Sequence, residues 1–483
     1  MKRLTCLLVV FLWAPLLAQE PIGWPTHGRD PGRSRATDTP LAPTLRPTWK
    51  WMAPTPPSPA WEGPAKWDAY NKVQNLEARL FFDKAFGLVS ANGMVFFGSS
   101  SDDQLRCLDA ASGQVKWSYF AGAPIRLAPT YFEGRVYIGA DDGYVHCVSA
   151  PDGRLHWKTR LGPSERSIIG NGRVVSVWPV RTGLVVEDGL VNVACGLFPS
   201  EGSWLVTLNA IDGTVVWKHK VPRLSPQGYI MASADRIVLP ASRVAPFVFE
   251  RATGKLIHSV GGNGGTFAVL SKDRLICGPG KTGQLSVFKK DKKSALLTLS
   301  ANRLNVSGEY AYLQSDDHLE KINFDATVQH ATEMVAARAA QKKSAARLKA
   351  IGVLLKSGVR KKNKQTEPIP PKELAALAKE KVAITEQLVA LGASIDAIGN
   401  KQQACRQWRV ESKQALSLIT VGDRVVTGGR GSVAIRDAAT GEVIETHKVD
   451  GDAWDLISVD GRLLISTSRG VIYSLGAADK GAR

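Results

Sequence analysis

Short runs in which apolar and polar residues alternate, broken by Gly-containing turns, cover most of the chain, and residues 125–160 show the unit most clearly. Residues 125–131 read as a strand, 132–134 as a turn, 135–140 as a second strand, 141–143 as a hairpin turn, 144–149 as a third strand and 154–160 as a fourth. Val, Ile and Tyr suit a pleated backbone, and the Asp-Gly step supplies the positive φ of a tight hairpin. The same template fits 87–120, 180–221, 227–260, 264–299 and 415–449, with a sixth unit starting near Asn305 and an eighth at Ala453. The eighth stops after three strands, at Leu475. At the other end of the chain, LRPTWKW at 45–51 reads as a fourth strand with no partners before it. This strand is predicted to complete the last unit, closing a ring and removing its exposed sheet edges.

The sixth unit is interrupted. Its third strand is expected to end at 324–326 and its fourth to resume at 405–410. Between them, Leu374, Leu377, Lys381, Ile384, Leu388, Leu391, Ile395 and Ile398 recur at steps of three and four, the seam of a heptad helix. A helix over about 333–356 offers Leu348, Ile351 and Leu355 as its partner stripe. The basic segment KSGVRKKNKQTEPIPP turns between the two, with Pro370 and Pro371 where a helix start tolerates them. An antiparallel helical hairpin inserted in a strand turn follows.

A repeated phrase fixes how the units pack: LDAASGQVKW at 108–117, VSAPDGRLHW at 148–157 and LNAIDGTVVW at 208–217. Each places Asp, Ser or Asn four residues before a Gly (Gly113, Gly153, Gly213) and a Trp four residues after it (Trp117, Trp157, Trp217). Trp408 holds the same slot after the insertion. A period near about forty residues is the mark of propeller blades, and an indole between blades buries a large area while its N–H finds a backbone partner. The fold class is therefore all-β, an eight-bladed β-propeller with an inserted helical hairpin. The expected division is 1–18 leader, 19–43 N-terminal extension, 44–330 first part of the propeller, 331–403 helical insertion and 404–476 second part.

The D-x-x-[ST]-G-x-x-x-W pattern, clear at Asp109 to Trp117, resembles the tryptophan-docking repeat of pyrroloquinoline quinone (PQQ) propellers. Together with GADDGYVHC, IIGNGRVVSVWPVRTG and LFPSEGSWL, it makes the chain similar to secreted bacterial PQQ-like repeat proteins of the quinoprotein alcohol dehydrogenase-like superfamily. That resemblance implies either a binding module or a quinone-dependent dehydrogenase with its cofactor and a calcium ion in the central funnel. The dehydrogenase chemistry needs convergent oxygen ligands and a carboxylate base. No two cysteines are adjacent, as they are in many such dehydrogenases, and the inner strands IRLAPTY and VRTGLVV offer Arg126 and Arg181 but no acids. The acidic pairs Asp102-Asp103, Asp141-Asp142 and Asp316-Asp317 share one repeat position, which is a turn signature before it is a metal signature. No catalytic residue, metal site or cofactor is assigned, with PQQ and calcium as the alternative.

Charge and export narrow the partners. Lys2 and Arg3 precede the apolar run 4–17, and Ala18 suits cleavage, so the chain reads as secreted or periplasmic with no transmembrane segment after cleavage. The net charge of +18 falls to +16 without Lys2 and Arg3, and residues 331–364 hold ten Lys or Arg against Glu333, a local +9. Export and the lack of interleaved aromatics disfavour nucleic acid. Arg360, Lys361, Lys362 and Lys364 are the candidate contact for an anionic envelope component or a protein, against a solvated helix face. Arg126, Trp178 and Arg181 are candidate rim residues of a ligand pocket, against ordinary packing. The five cysteines left after cleavage are expected to be buried and unpaired, since equivalent slots of neighbouring blades lie too far apart to bridge. The resulting expectation is a non-enzymatic binding or scaffolding propeller, similar in fold to the propeller lipoprotein of the outer-membrane barrel assembly machinery.

Overall fold

The computed structural model describes residues 23–60, 81, 83–170, 172–221, 224–241, 244–262, 264–265, 267–280, 283–362 and 365–477. The expected leader and Lys364 lie outside the described residues. Four-stranded antiparallel meanders dominate. In the first, Leu88–Ala91, Met94–Gly98, Gln104–Asp109 and Val115–Phe120 pair in order, and Gly23–Trp24 joins the edge of Leu88–Ala91. Five more four-stranded sheets follow, the last of which takes its fourth strand, Arg406–Glu411, from beyond two helices. An eight-stranded sheet then holds two meanders sharing the long strand Val443–Val459, with Arg46–Met52 outermost against Val471–Gly476. The surplus N-terminal strand thus pairs in the register Trp51↔Ile472 and Lys50↔Tyr473.

Burial changes regularly across each meander. First strands such as Ser417–Val421 are buried at every position, because sheets pack on both of their faces. Fourth strands such as Val115–Phe120 alternate exposed and half-buried residues. The half-buried position is the docking tryptophan. Trp117 Nε1 donates to Ala150 O at 2.9 Å and Trp157 Nε1 to Ala210 O at 3.2 Å. Trp408 Nε1 donates to Ala438 O at 3.3 Å, and Trp49 of the N-terminal strand donates to Ala110 O at 3.0 Å. Each indole lies on the turn glycine of the next meander: Trp49 on Gly113, Trp117 on Gly153, Trp157 on Gly213 and Trp217 on Gly254. Gly113 shows why nothing larger fits. Its φ is +71°, and a Cβ would stand 2.6 Å from the Trp49 ring.

The insertion is a pair of 34-residue helices, α1 (Phe324–Ser357) and α2 (Pro371–Ala404). Asn323 caps α1, its side chain accepting from Ala326 N at 2.9 Å, and Gly358 ends it at φ +65°. Ile351, Ile369 and Leu377 form the buried seam beside Leu355, Leu374 and Ile384, and Arg347 grips Glu380 with two bonds of 2.7 Å. Two expectations need correction. The helix starts at Phe324, not near 333, so 324–326 is its first turn and not the end of a strand. Phe324 and Val328 pack into the core of the neighbouring sheets, which makes this part of α1 belong to the β-structure. The turn between the helices is itself a β-hairpin, Val359–Lys362 with Gln365–Pro368. In the second meander the first strand is only Thr130–Phe132, shorter than the expected 125–131, because Pro124 and Pro129 remove ladder donors. Cys107, Cys147, Cys195, Cys277 and Cys405 are all free and buried.

Candidate functional site

Residues 24–42, expected as an extension outside the propeller, run through its middle. Trp24 N donates to Ser90 Oγ at 3.0 Å in the first meander, and Tyr131 N of the second donates to Pro25 O at 2.7 Å. Arg33 Nη2 reaches Leu184 O of the third at 2.9 Å, and Ala232 N of the fourth bonds Pro31 O at 3.1 Å. Leu270 N of the fifth bonds Gly32 O at 2.7 Å, Asn305 Nδ2 of the sixth bonds Arg35 O at 3.3 Å and Thr420 N of the seventh bonds Arg35 O at 2.9 Å. Finally Ala42 N donates to Gly461 O of the last at 2.9 Å. One segment visits every meander in chain order.

Arg33 anchors it. The side chain is 1% exposed and donates to Thr26 Oγ1, His27 O, Leu184 O and Ile230 O. Burial pulls its pKa down to about 10, countered first by Asp30. Arg29, Arg33 and Arg35 all have positive φ, at 76°, 65° and 57°, a conformation that costs a side-chain-bearing residue energy and that the surrounding contacts must impose.

Over this segment lies a cavity of about 160 Å³, lined by residues from the segment itself and from the inner ends of several meanders. Its polar lining includes His27, Arg35, Asp83, Lys84, Arg126, Arg303, Ser417 and Asp455. Aromatic walls come from Tyr229, Phe267 and Trp454. His27 stacks on Tyr229 with ring centroids 3.5 Å apart, and burial, then Arg35 and Arg33, hold it well below the usual histidine range, hence neutral. Asp455 is pushed up to about 7 by burial, although Leu88 N donates to its Oδ2 at 2.7 Å and Arg35 opposes the shift. Burial lowers both Arg35 and Arg303 to about 10.

Beside the cavity sits a buried ionic network. Asp141, fully buried, takes Arg126 Nε at 2.6 Å and Arg181 Nε and Nη2 at 2.9 and 3.0 Å. Arg126 Nη1 also reaches Asp83 at 2.7 Å and Ser58 O at 3.0 Å, while Ala60 N donates to Asp83 at 3.0 Å. Burial raises Asp83, with Arg126 opposing. The network ties residues 58–60 and 83 to two meanders, a structural use of charge.

Of the three expected rim residues, Arg126 and Arg181 meet on Asp141, and only Arg126 lines the cavity. Arg181 and Trp178 are buried away from it. Trp178 packs edge-on against Trp204 at 6.0 Å, and its Nε1 donates to Glu201 O at 3.1 Å, pinning two loops. The acidic pairs are spent locally: Asp102 on Arg106, Asp103 on Arg173 and Asp142 on His146, with Asn302 donating to Asp316. Among the described residues no three His, Cys, Asp or Glu side chains are placed to hold a metal. At the tip of the helical hairpin, Arg360 Nη1 pairs with Glu373 at 2.6 Å. The cavity groups Arg35, Arg303 and Asp455 escaped the sequence reading because each stands alone in a different part of the chain. The cluster HGRDPGRSR at 27–35 was the available signal.

Known proteins share this fold. The family model PQQ_2, described as outer membrane protein assembly factor BamB, matches residues 62–260. Outer membrane protein assembly factor BamB of Yersinia pestis is 22% identical over 190 residues, 37% of this chain and 44% of that protein. The dehydrogenase subunit of a quinone alcohol dehydrogenase of Gluconobacter oxydans is 28% identical over 85 residues, 15% of this chain and 11% of the relative. The chain thus spans less than half the length of these curated relatives. Among solved structures, the quinohemoprotein alcohol dehydrogenase of Comamonas testosteroni superposes with a TM-score of 0.58 at 13% identity, covering 97% of this chain and 83% of that one. A europium-containing methanol dehydrogenase gives 0.57 at 9% identity, covering 95% and 99%. Residues 62–260 thus match a PQQ-like repeat family model, and the chain has the fold of PQQ-like propellers.

Proposed function

We propose that this chain is an exported, eight-bladed PQQ-like propeller that binds a protein or an anionic component of the cell envelope and catalyses no reaction. Support for eight blades comes from the six separate sheets and the two halves of the eight-stranded one, in which Arg46–Met52 pairs with Val471–Gly476. Trp49 docking on Gly113 carries the blade-to-blade contact from the last blade to the first and closes the ring. The observation that carries the functional reading is the axial segment. The chain's own residues 24–42 occupy the middle of the ring and leave about 160 Å³, below the roughly 300–1,000 Å³ typical of pockets that enclose a cofactor-sized ligand. The axial carboxyls do not fit a calcium–quinone centre either: Asp83 is committed to Arg126, and Asp455 stands without a second acidic ligand. The +9 stretch on the helical hairpin supplies an attachment surface of the kind an anionic partner recognises. The apolar leader and the relative named as an outer membrane assembly factor support an envelope location.

The test is recovery of partners from the native envelope by mass spectrometry, with the intact protein and a variant lacking the outer helical hairpin. A partner set held by the intact protein, lost in salt and depleted in the variant, is expected; no retained envelope component would sink the reading. A second reading, a quinone-dependent dehydrogenase, is favoured by one feature: Asp455, a cavity carboxyl that titrates near pH 7, suits proton transfer. Reconstitution with PQQ and Ca²⁺ should give no alcohol-dependent dye reduction, and turnover with stoichiometric quinone would install that reading instead.

A further inference from the structure

We propose that the axial cavity is a binding site for a small monocarboxylate, its carboxylate held between Arg35 and Arg303 and its compact apolar body, up to one ring in size, against the aromatic wall. This site lies inside the ring and is independent of the partner-docking reading above.

The charge inventory comes first. Arg35 and Arg303 line the same cavity as Lys84 and as Arg126, which is paired with Asp83 and Asp141, and the field of Arg35 is felt at Arg303. Among the described residues neither Arg35 nor Arg303 makes an ion pair. Among the described residues Arg303 makes a single hydrogen bond, from Nη1 to Ala415 O at 2.9 Å. Arg35 gives Nη1 to Arg33 O at 3.3 Å and Nη2 to His27 Nε2 at 2.8 Å. His27 is neutral and serves as an acceptor there, so it adds no counter-charge. Each guanidinium has five N–H donors, and most of these stay unused. Both side chains line the cavity, where the remaining donors can serve a ligand.

Both forks are also held in place. Arg35 lies over the Phe267 ring at 4.7 Å and Arg303 over Trp454 at 5.9 Å, which orients their planes without consuming their donors. The acids nearby offset them only in part: Asp30, whose field reaches Arg35, accepts from Ser34, and Asp316, whose field reaches Arg303, accepts from Asn302. Asp83 is held by Arg126 and Ala60 N, and Asp455, bonded by Leu88 N, is partly protonated at neutral pH. Two cations lining one low-dielectric space repel each other, and an anion between them relieves both that repulsion and their lost hydration. A planar carboxylate matches the guanidinium fork with paired, charge-assisted bonds.

Size and wall set the rest of the ligand. The cavity of about 160 Å³ is close to the roughly 150 Å³ known to enclose a benzene ring. Phe267, Trp454, Leu418, Ile419 and Leu456 offer an apolar surface next to the two cations. A flat acid fills both halves; a larger polyanion fills neither.

Benzoate is the probe, with benzamide as its neutral isostere and inorganic phosphate as an anion without an apolar body. Calorimetry and thermal melts on the whole mature protein should show one benzoate site of millimolar affinity or better with a raised Tm, and no comparable response to benzamide. Arg303→Gln should weaken benzoate binding by at least about tenfold, as expected for a lost charge-assisted pair. Should that variant fail to fold, quenching of Trp454 fluorescence by benzoate in the otherwise native protein, absent in Trp454→Phe, gives the same answer. No benzoate binding, equal binding by benzamide, equal stabilisation by phosphate, or unchanged affinity in Arg303→Gln would each overturn the proposal.

Discussion

The helical hairpin and the axial segment are opposite solutions to placing a non-repeating stretch of chain in a repeat protein. The hairpin buries Ile351, Ile369 and Leu377 against one another and pairs Arg347 with Glu380, so its contacts lie largely between its own two helices. Residues 24–42 contain only the two-residue strands Gly23–Trp24 and Ala36–Thr37 at their ends, and they bond to meanders as far apart in sequence as Ser90 and Gly461. An element that folds on itself can be removed at local cost. A segment whose donors and acceptors are distributed over all the meanders takes them with it.

The sharpest way to break this contrast is to delete residues 23–52 behind a replacement leader. That removes both the axial segment and the strand carrying Trp49, leaving the edge Val471–Gly476 unpaired and the Gly113 turn undocked. Loss of cooperative unfolding is expected in circular dichroism melts. An unchanged Tm would show that neither segment belongs to the folding unit.

Next in size is Arg33→Met. It removes the bond to Leu184 O, which keeps Thr130 Oγ1, and both bonds to Ile230 O, a buried carbonyl whose loss of its arginine donors costs about 1–3 kcal/mol. A loss of about 2–5 kcal/mol in urea unfolding is expected, whereas Arg347→Met in the hairpin, which breaks an exposed pair with Glu380, should cost less than about 1 kcal/mol. Equal effects at the two arginines would erase the distinction.

A smaller effect concerns pH. Asp455 titrates near 7 in the folded chain against roughly 3.9 when unfolded. The folded state therefore binds the extra proton between these values. This contribution is fully present below about pH 4 and is lost as pH rises through 7. Asp455→Asn keeps an acceptor for Leu88 N and removes the titration. Its Tm relative to the native protein should be higher at pH 8 than at pH 5; parallel pH profiles would mean that Asp455 is not buried as seen.

The smallest expected effect on stability comes from replacing residues 333–396 with a short turn while keeping Phe324 and Val328, which pack into the sheets. The Tm should move by no more than a few degrees, while salt-sensitive retention on the envelope falls. Charge reversal at Arg360, Lys361, Lys362 and Lys364 should reproduce most of that fall, although Arg360 is already shared with Glu373. A collapse of the fold would place the outer hairpin in the core.

What the sequence determined by itself is everything carried by near neighbours. The turn in which Asp109 Oδ1 accepts from Ala111 N and Ser112 N, the glycine at positive φ and the following tryptophan sit within nine residues, so each repeat spells out its own docking contact. The heptad seam of α2 is legible for the same reason, and so is the surplus strand at Arg46–Met52, since a docking tryptophan marks it. The start of α1 was not legible. Residues 324–331 pack against β-strands, and that burial imposes no helical pattern that a single sequence displays. Only tertiary structure decided the path of residues 24–42, the pairing of Arg126 and Arg181 on Asp141, and the meeting of Arg35, Arg303 and Asp455 in one cavity. Those contacts join positions up to several hundred residues apart. Hydrogen bonds to backbone carbonyls can be made to any residue type, so the partners of Arg33 leave no trace in the composition of the strands that hold it.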